Sequence, residues 1–309
     1  MAQVVVITPN PAIDVTYRVA SQTPGLTHRV ITATRQPGGK GVNVARALES
    51  LGVSTVSLLP LGGETGRWML DELAALDLAV AAVEVSGETR TTITVTDETT
   101  HPTLFAEAGP VVSSDEWRLL TEKLRRLLPD AALLVVSGSM PPEADSAGLI
   151  ETWVHAARDA GVRVVVDAAG DALLAAARAG ADILKPNLSE VLETTGQPTA
   201  ERGSRLLLDL GAGLVVVSHG SQGITAYRPD GDDAVDAVPG ISGNPTGAGD
   251  AATAGLAAAL IDGRPIHEAL RWAAALGAAA VLRPVAGEVD RAAFDRFLHA
   301  STLDDGAGT

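Results

Sequence analysis

Asn244-Pro-Thr-Gly-Ala-Gly-Asp250 combines two glycines and one carboxylate just ahead of an Ala/Gly-rich helical run that reaches Leu260. Gly247 and Gly249 permit a tight turn, so successive main-chain N–H groups can converge at a helix start and bind negative charge. Asp250, in the first turn, is placed to accept a proton from an attacking hydroxyl, which is a poor nucleophile without a base nearby. That chemistry is phosphoryl transfer to an alcohol. The same residues also fit a Gly-rich loop in which Asp250 merely opens a helix.

Four more segments carry candidate groups. In Gln36-Pro-Gly-Gly-Lys-Gly-Val-Asn-Val-Ala45, Gly38, Gly39 and Gly41 let the backbone approach a ligand. Asn43 offers a donor and an acceptor to sugar hydroxyls, and Lys40 a compact positive charge suited to phosphate. The spacing is neither that of a P-loop nor that of a dinucleotide fingerprint, and taken alone the segment reads first as a loop capping a helix over Val42–Leu51. Lys185-Pro-Asn-Leu-Ser-Glu190 follows a predicted strand. Asn187 and Glu190 share one helix face and suit Mg²⁺ through water, or form an ordinary helix cap. Ser218-His-Gly-Ser-Gln-Gly223 also follows a strand; its Ser218, Gly220 and Gly223 can receive nucleotide phosphates or simply turn the chain. Ser137 and Ser139 in Ser137-Gly-Ser-Met-Pro-Pro142 can bind hydroxyls or phosphate. Only three lysines occur, Lys40, Lys123 and Lys185, and two of them fall in these loops although arginine carries most other positive charge. An exposed lysine exchanges with arginine at little cost, whereas a compact ammonium at a phosphate does not.

These segments need elements that bring them together. Apolar, β-branched runs at Val4–Thr8, Thr55–Leu59, Leu133–Ser137, Arg163–Asp167, Asp182–Leu184 and Leu214–Ser218 read as buried parallel strands. Helical patterns between them, such as Ser114–Leu128, Ala147–Ala160 and Ala200–Leu210, predict a doubly wound α/β layer fold, which binds ligands at the carboxyl edge of its sheet. Ile13–Val19 with His28–Thr34, and Thr89–Asp97 with Thr103–Phe105, alternate without intervening helices. They predict a small β-sheet lid, drawn from about residues 13–34 and 89–106, on a single domain covering residues 1–309. The tail from Asp304 to Thr309 is expected to be disordered.

Composition narrows the partners. A net charge of −15 disfavours nucleic acid and anionic membranes as ligands. The absence of cysteine removes disulfide and thiolate chemistry, and the six histidines are scattered without metal-site spacing. No apolar run reaches membrane-spanning length and no signal peptide is evident, so a cytoplasmic protein is expected.

Together the segments resemble the PfkB (ribokinase-like) carbohydrate kinase family, in family order from about Thr8 to Asp290. Gly38–Ala45 is similar to its first signature, Asn244–Asp250 to its second, and Lys185–Glu190 to its N-x-x-E magnesium element. The resemblance implies a three-layer αβα sandwich with a β-sheet lid and transfer from Mg-ATP. It makes Asp250 the base and the amides of Gly247, Ala248 and Gly249 the anion hole. Asn187 and Glu190 would organise Mg²⁺, while Lys185, Ser218, Gly220, Gly223, Gly247 and Gly249 would meet the nucleotide. Asp14, Gly38, Gly39, Asn43, Ser137 and Ser139 would lie about the sugar. Thr8-Pro-Asn-Pro-Ala-Ile-Asp14, Ser137–Pro142, Val166-Asp-Ala-Ala-Gly170 and Thr89-Arg90 resemble the branch of 1-phosphofructokinases, 6-phosphofructokinases and tagatose-6-phosphate kinases. In that branch Lys40 and Arg90 would clamp a phosphate already on the sugar. The expected activity is therefore ATP-dependent phosphorylation of fructose 1-phosphate, fructose 6-phosphate or tagatose 6-phosphate. A kinase for a free sugar or nucleoside, and a non-catalytic sugar or nucleotide sensor, are the alternatives. An exposed edge on the lid sheet leads to the expectation of a homodimer.

Overall fold

The computed structural model describes residues 3–97 and 102–304. The first half of the chain runs β1 (Gln3–Ile7), β2 (Ala12–Arg18), β3 (Thr32–Gly38), α1 (Lys40–Ser50), β4 (Thr55–Leu61), α2 (Gly63–Ala75), β5 (Ala79–Glu84), β6 (Arg90–Thr96), β7 (Thr103–Ala106), α3 (Ser114–Leu127) and β8 (Ala131–Ser137). It continues through α4 (Ser146–Asp159), β9 (Arg163–Asp167), α5 (Gly170–Arg178), β10 (Ile183–Leu184), α6 (Leu188–Thr195), α7 (Ala200–Leu210) and β11 (Leu214–Ser218). The last elements are β12 (Ile224–Arg228), β13 (Gly231–Val235), α8 (Ala248–Ile261), α9 (Ile266–Val281) and α10 (Arg291–Asp304).

Nine strands form the main sheet in the order β13-β12-β11-β10-β9-β8-β1-β4-β5, and all its pairings are parallel except those of β12. Valine-rich strands covered on both faces explain the parallel core. Val5, Ile7, Leu134 and Val136 pack under α3, α4 and α5 with the fully buried Trp153. Val4, Val6, Leu133 and Val135 pack on the other face under α1, α8 and α9. Helix α8 is buried on nearly every side, and its composition permits this: a Cβ at Gly255 would stand 2.6 Å from the Trp272 carbonyl of α9. Strand order reverses at β1, between β8 and β4. The crevice at that switch point is where open α/β sheets receive ligands.

The second sheet, β3-β2-β6-β7, is the lid. One of its strands differs from the sequence expectation. The partner of β2 is not 28–34 but Thr32–Gly38, paired from Arg18↔Thr32 to Ala12↔Gly38. The glycine-rich segment therefore begins as a strand and passes straight into α1 at Lys40, two residues before the predicted helix start. The physical reason is Gly38, where a side chain would overlap the Asp14 carboxylate, so that only glycine lets the ladder continue to that point. Of the expected disordered tail, Asp304 closes α10 and residues 305–309 lie outside the described residues. Among the described residues, no helix is long and apolar enough to cross a membrane.

Candidate active site

Gly247 caps α8 in the left-handed conformation, φ 83°, with a methyl of Ala286 so close that a Cβ would stand 2.8 Å from it. That turn aims the first amides of α8, and the positive end of its dipole, at the crevice. Asp250 is the third residue of α8 and is 7% exposed. Its Oδ2 accepts a 2.9 Å hydrogen bond from Asn43 Nδ2 of α1. Burial, reinforced by the neighbouring Asp167 carboxylate, pushes the Asp250 carboxyl up to about 7 against the pull of Asn43, Lys40 and Lys185. A carboxyl titrating there is matched to proton transfer at neutral pH.

Beside it lies a crossing of charges in which Asp167 and Lys185 are buried and Lys40 opens to the cleft. Asp167, at the carboxyl end of β9, pairs with Lys40 Nζ through Oδ1 and with Lys185 Nζ through Oδ2, each at 3.4 Å. Thr253 Oγ1, one turn beyond Asp250, donates to Asp167 Oδ2 at 2.8 Å. Burial would raise the Asp167 carboxyl, but Lys185 and Lys40 outweigh it and hold it below the usual carboxylate range. Lys40 also reaches Glu190 Oε1 at 3.0 Å, and the attraction of Asp167 raises its ammonium above the ordinary lysine value. Each member satisfies another, as buried charges require.

Two chambers border this crossing, and an apolar one joins the first of them at Ser218 and Gly249. The first, of about 360 Å³, has Lys40, Asn43, Asp167, Lys185, Asn187, Glu190, Ser218, Gly247, Gly249 and Asp250 on its floor and flanks. Its roof is the inner face of the lid: Asp14 and Thr16 of β2, Arg90, Thr92 and Thr94 of β6, Leu104 and Ala106 of β7. The second, of about 480 Å³, is apolar, bounded by 218–223, 237–245 and the small residues of α8 and α9. Ser218 and Gly249 line both chambers, and a Cβ at Gly249 would point into open space. The third chamber, about 480 Å³, lies behind Lys40, Arg90 and Glu190 and adds Asn10, Gly138 and Ser139.

Two groups of the roof are held firmly. Asp14 faces the first chamber; burial raises its carboxyl to about 6, opposed by the Gly39 amide, Arg90 and Arg46. Arg90 donates from Nε and Nη2 to the Asn10 carbonyl at 3.3 and 3.2 Å and from Nη1 to the Glu107 carbonyl at 2.9 Å. A guanidinium has five N–H groups, so two remain for a ligand in the chambers it lines.

Most residues singled out in the sequence converge here, with three changes. Ser137 is fully buried at the end of β8 and lines none of these chambers. Gly38 shapes the site through its contact with Asp14 instead of facing ligand. Lys185, 3% exposed, is held by Asp167 at the floor of the first chamber and does not line the second. Asn187 and Glu190 form the capping box of α6: Asn187 Oδ1 accepts from Glu190 N and Glu190 Oε2 from Asn187 N, both at 2.9 Å. The pair is thus a helix cap that also lines the cleft. Sequence reasoning overlooked Asp167, Thr253 and Asn10. The available signal was position: Asp167 ends a Val-rich strand at the sheet's carboxyl edge.

This arrangement agrees with the similarities of the chain. Residues 1–291 match the pfkB family of carbohydrate kinases. The chain is 34% identical over 257 residues to the ATP-dependent 6-phosphofructokinase isozyme 2 of Escherichia coli strain K12, covering 80% of this chain and 82% of that protein. It superposes on phosphofructokinase-2 from Escherichia coli, both in complex with fructose-6-phosphate and in its tetrameric inhibited form, with TM-score 0.89 and 29% identity over 98% of this chain and 100% of the other. A possible 1-phosphofructokinase from Thermotoga maritima gives TM-score 0.86 and 25% identity, over 96% and 97% of the two chains. With both signature loops meeting at one cleft in this fold, the chain belongs to the pfkB family of carbohydrate kinases and is a sugar kinase.

Proposed function

We propose that this kinase transfers the γ-phosphoryl group of ATP to a ketohexose phosphate: fructose 1-phosphate, fructose 6-phosphate or tagatose 6-phosphate. The observation that carries the reading is the junction at Gly249, where an apolar chamber sized for a base opens into a polar chamber beside Asp250. ATP lies with its base in the former and its phosphates along Ser218, Gly220, Gly223 and the α8 amides. The sugar lies in the latter, its hydroxyls against Asp14, Gly39 and Asn43. Asp250 takes the proton of the attacking hydroxyl, an O–P bond forms to the γ-phosphorus, the bond to the bridging oxygen breaks, and ADP leaves. The amides of Gly247, Ala248 and Gly249 stabilise the charge on the transferring group.

The phosphate already on the sugar is assigned to Arg90, with its two remaining N–H groups, together with Ser139 and Lys40 at the chamber they share. Mg²⁺ keeps much of its water shell and takes one or two carboxylates plus substrate phosphates. Glu190 and Asn187 suit that role from the cleft wall, but their oxygens already accept from Lys40 and from each other's amides, so they would hold the ion through water. Bound there, it would neutralise charge on the ATP phosphates.

A homodimer through the lid completes the proposal. Leu104 and Ala106 line the cleft, so alternation turns Phe105 outward, beside Ile93 and next to Val15. Phe105 is 60% exposed, and Ile31 and Leu26 in the segment between β2 and β3 are 55% and 67% exposed, apolar area that a second copy would cover. A coupled assay of ADP release across the three phosphates, their free sugars and nucleosides tests the reaction. Turnover confined to unphosphorylated acceptors would refute the phosphate assignment.

A further inference from the structure

The two principal chambers differ in how they can recognise a ligand. The polar chamber offers fixed, directional groups at every wall. Among the described residues, the apolar chamber is lined only by glycine, alanine, valine, isoleucine, proline and serine. No amide, carboxylate, imidazole, ammonium or guanidinium of a described residue lines it. Much of its main chain is spoken for as well; the exception is the rim at 237–243, which makes no backbone–backbone hydrogen bond among the described residues and is half-buried or exposed, within reach of water. The α9 wall, Ala273 to Val281, spends its backbone groups inside the helix. Gly220 O accepts from Gly223 N at 3.3 Å, and Gly223 O from His219 N at 2.8 Å. Pro245 O accepts from Ala248 N at 3.1 Å, and Val281 O from Asn244 N at 2.9 Å. The remaining polar side chains are Ser218, Ser221 and Ser242, and a serine hydroxyl rotates to donate or to accept.

We infer that this chamber selects its phosphoryl donor by the shape and apolar area of a purine and not by the identity of the base, so that ITP and GTP replace ATP with little loss. The inference rests on the assignment of this chamber to the nucleotide. Adenine and hypoxanthine are nearly isosteric but reverse the donor and acceptor pattern along one edge. A site built to hydrogen-bond that edge rejects the reversed analogue by roughly 10⁴-fold, because its own buried groups are left unpaired. A wall of methyl groups, methylenes and rotatable hydroxyls, with a main-chain rim that water can reach, leaves no buried group unpaired when the pattern reverses. Pyrimidine nucleotides bury less apolar surface and bind more weakly than either purine.

The test is displacement of an ADP bearing a fluorophore on its ribose from the full-length protein with Mg²⁺, by ADP, IDP, GDP and CDP. It is paired with the rate of transfer from ATP, ITP and GTP to fructose 6-phosphate. Displacement reads the chamber even where the sugar is wrongly assigned. The inference expects IDP and GDP within about tenfold of ADP and CDP weaker than all three, far from the roughly 10⁴-fold rejection of an edge-reading site. ADP displacing the probe while IDP is weaker by more than about tenfold overturns the inference and leaves the proposed function standing. Failure of the probe to bind at all overturns both.

Discussion

The floor of the cleft and its roof are built on opposite principles. The floor hangs from the carboxyl edge of a sheet buried on both faces, and its charged groups are locked by one another: Asp167 by Lys40, Lys185 and Thr253, Asp250 by Asn43. The roof is a four-stranded sheet whose edge strand β7 is exposed throughout, and Arg90 is fixed to it by main-chain carbonyls alone. Chemistry that depends on sub-ångström placement sits where packing enforces it. On the proposed assignment, choice among substrates sits where the frame is thin and tolerant of change.

That contrast can be broken at either end. The largest effect should come from the floor. Asp250→Asn is expected to lower kcat about 10³-fold, the range of a lost general base, with nucleotide affinity unchanged in the displacement assay. A comparable loss of nucleotide binding would show that Asp250 serves binding and not chemistry. On the roof, Arg90→Ala should lower kcat/KM for the sugar phosphate roughly a hundredfold, about 2–3 kcal/mol from an unpaired phosphate, and leave turnover of the free sugar unaffected. Equal losses on both acceptors would make Arg90 a structural pin.

Smaller effects sharpen the comparison. Phe105→Asp is expected to shift the sedimenting species from dimer to monomer while the melting temperature of the main layer barely moves. An exposed change away from the core costs only about 0.5 kcal/mol. A wild-type protein already monomeric would remove the interface. The smallest effect is on stability. The native Asp250 carboxyl, raised to about 7, binds a proton that the unfolded chain has already lost. Its stabilising contribution is therefore complete below the ordinary aspartate range and is lost as pH rises through about 7. Asp250→Asn should melt a few degrees above wild type at about pH 8 and with it at about pH 4, if a differential scan isolates this group. The reverse ordering at alkaline pH would contradict the raised carboxyl.

The two regions were also unequally legible in the sequence. Buried parallel strands appear as Val-rich runs, so β1, β8, β9 and β11 could be placed almost to the residue. The lid was found as alternating strands, but β3 was set too early because Gln36-Pro37-Gly38 carries turn chemistry, and only the Asp14 carboxylate opposite explains a glycine inside a ladder. Signature loops announced Asp250, Lys40 and Asn43 because glycine spacing is local. Asp167 stood inside the branch-like segment Val166–Gly170, but nothing in that segment assigns it a role; what makes it important is the meeting of Lys40 and Lys185 on its two oxygens, which tertiary packing alone creates. For the same reason Ser137 looked like a ligand-facing hydroxyl although the fold buries it.

The account depends most on the protonation of Asp250 in the folded protein. Isotope-edited infrared spectra of the aspartate carboxyl, as wild type minus Asp250→Asn across neutral pH, would read it directly. The account predicts one carboxyl band that converts to carboxylate at about 7. A carboxylate already ionised near the ordinary aspartate value, about 4, would contradict it.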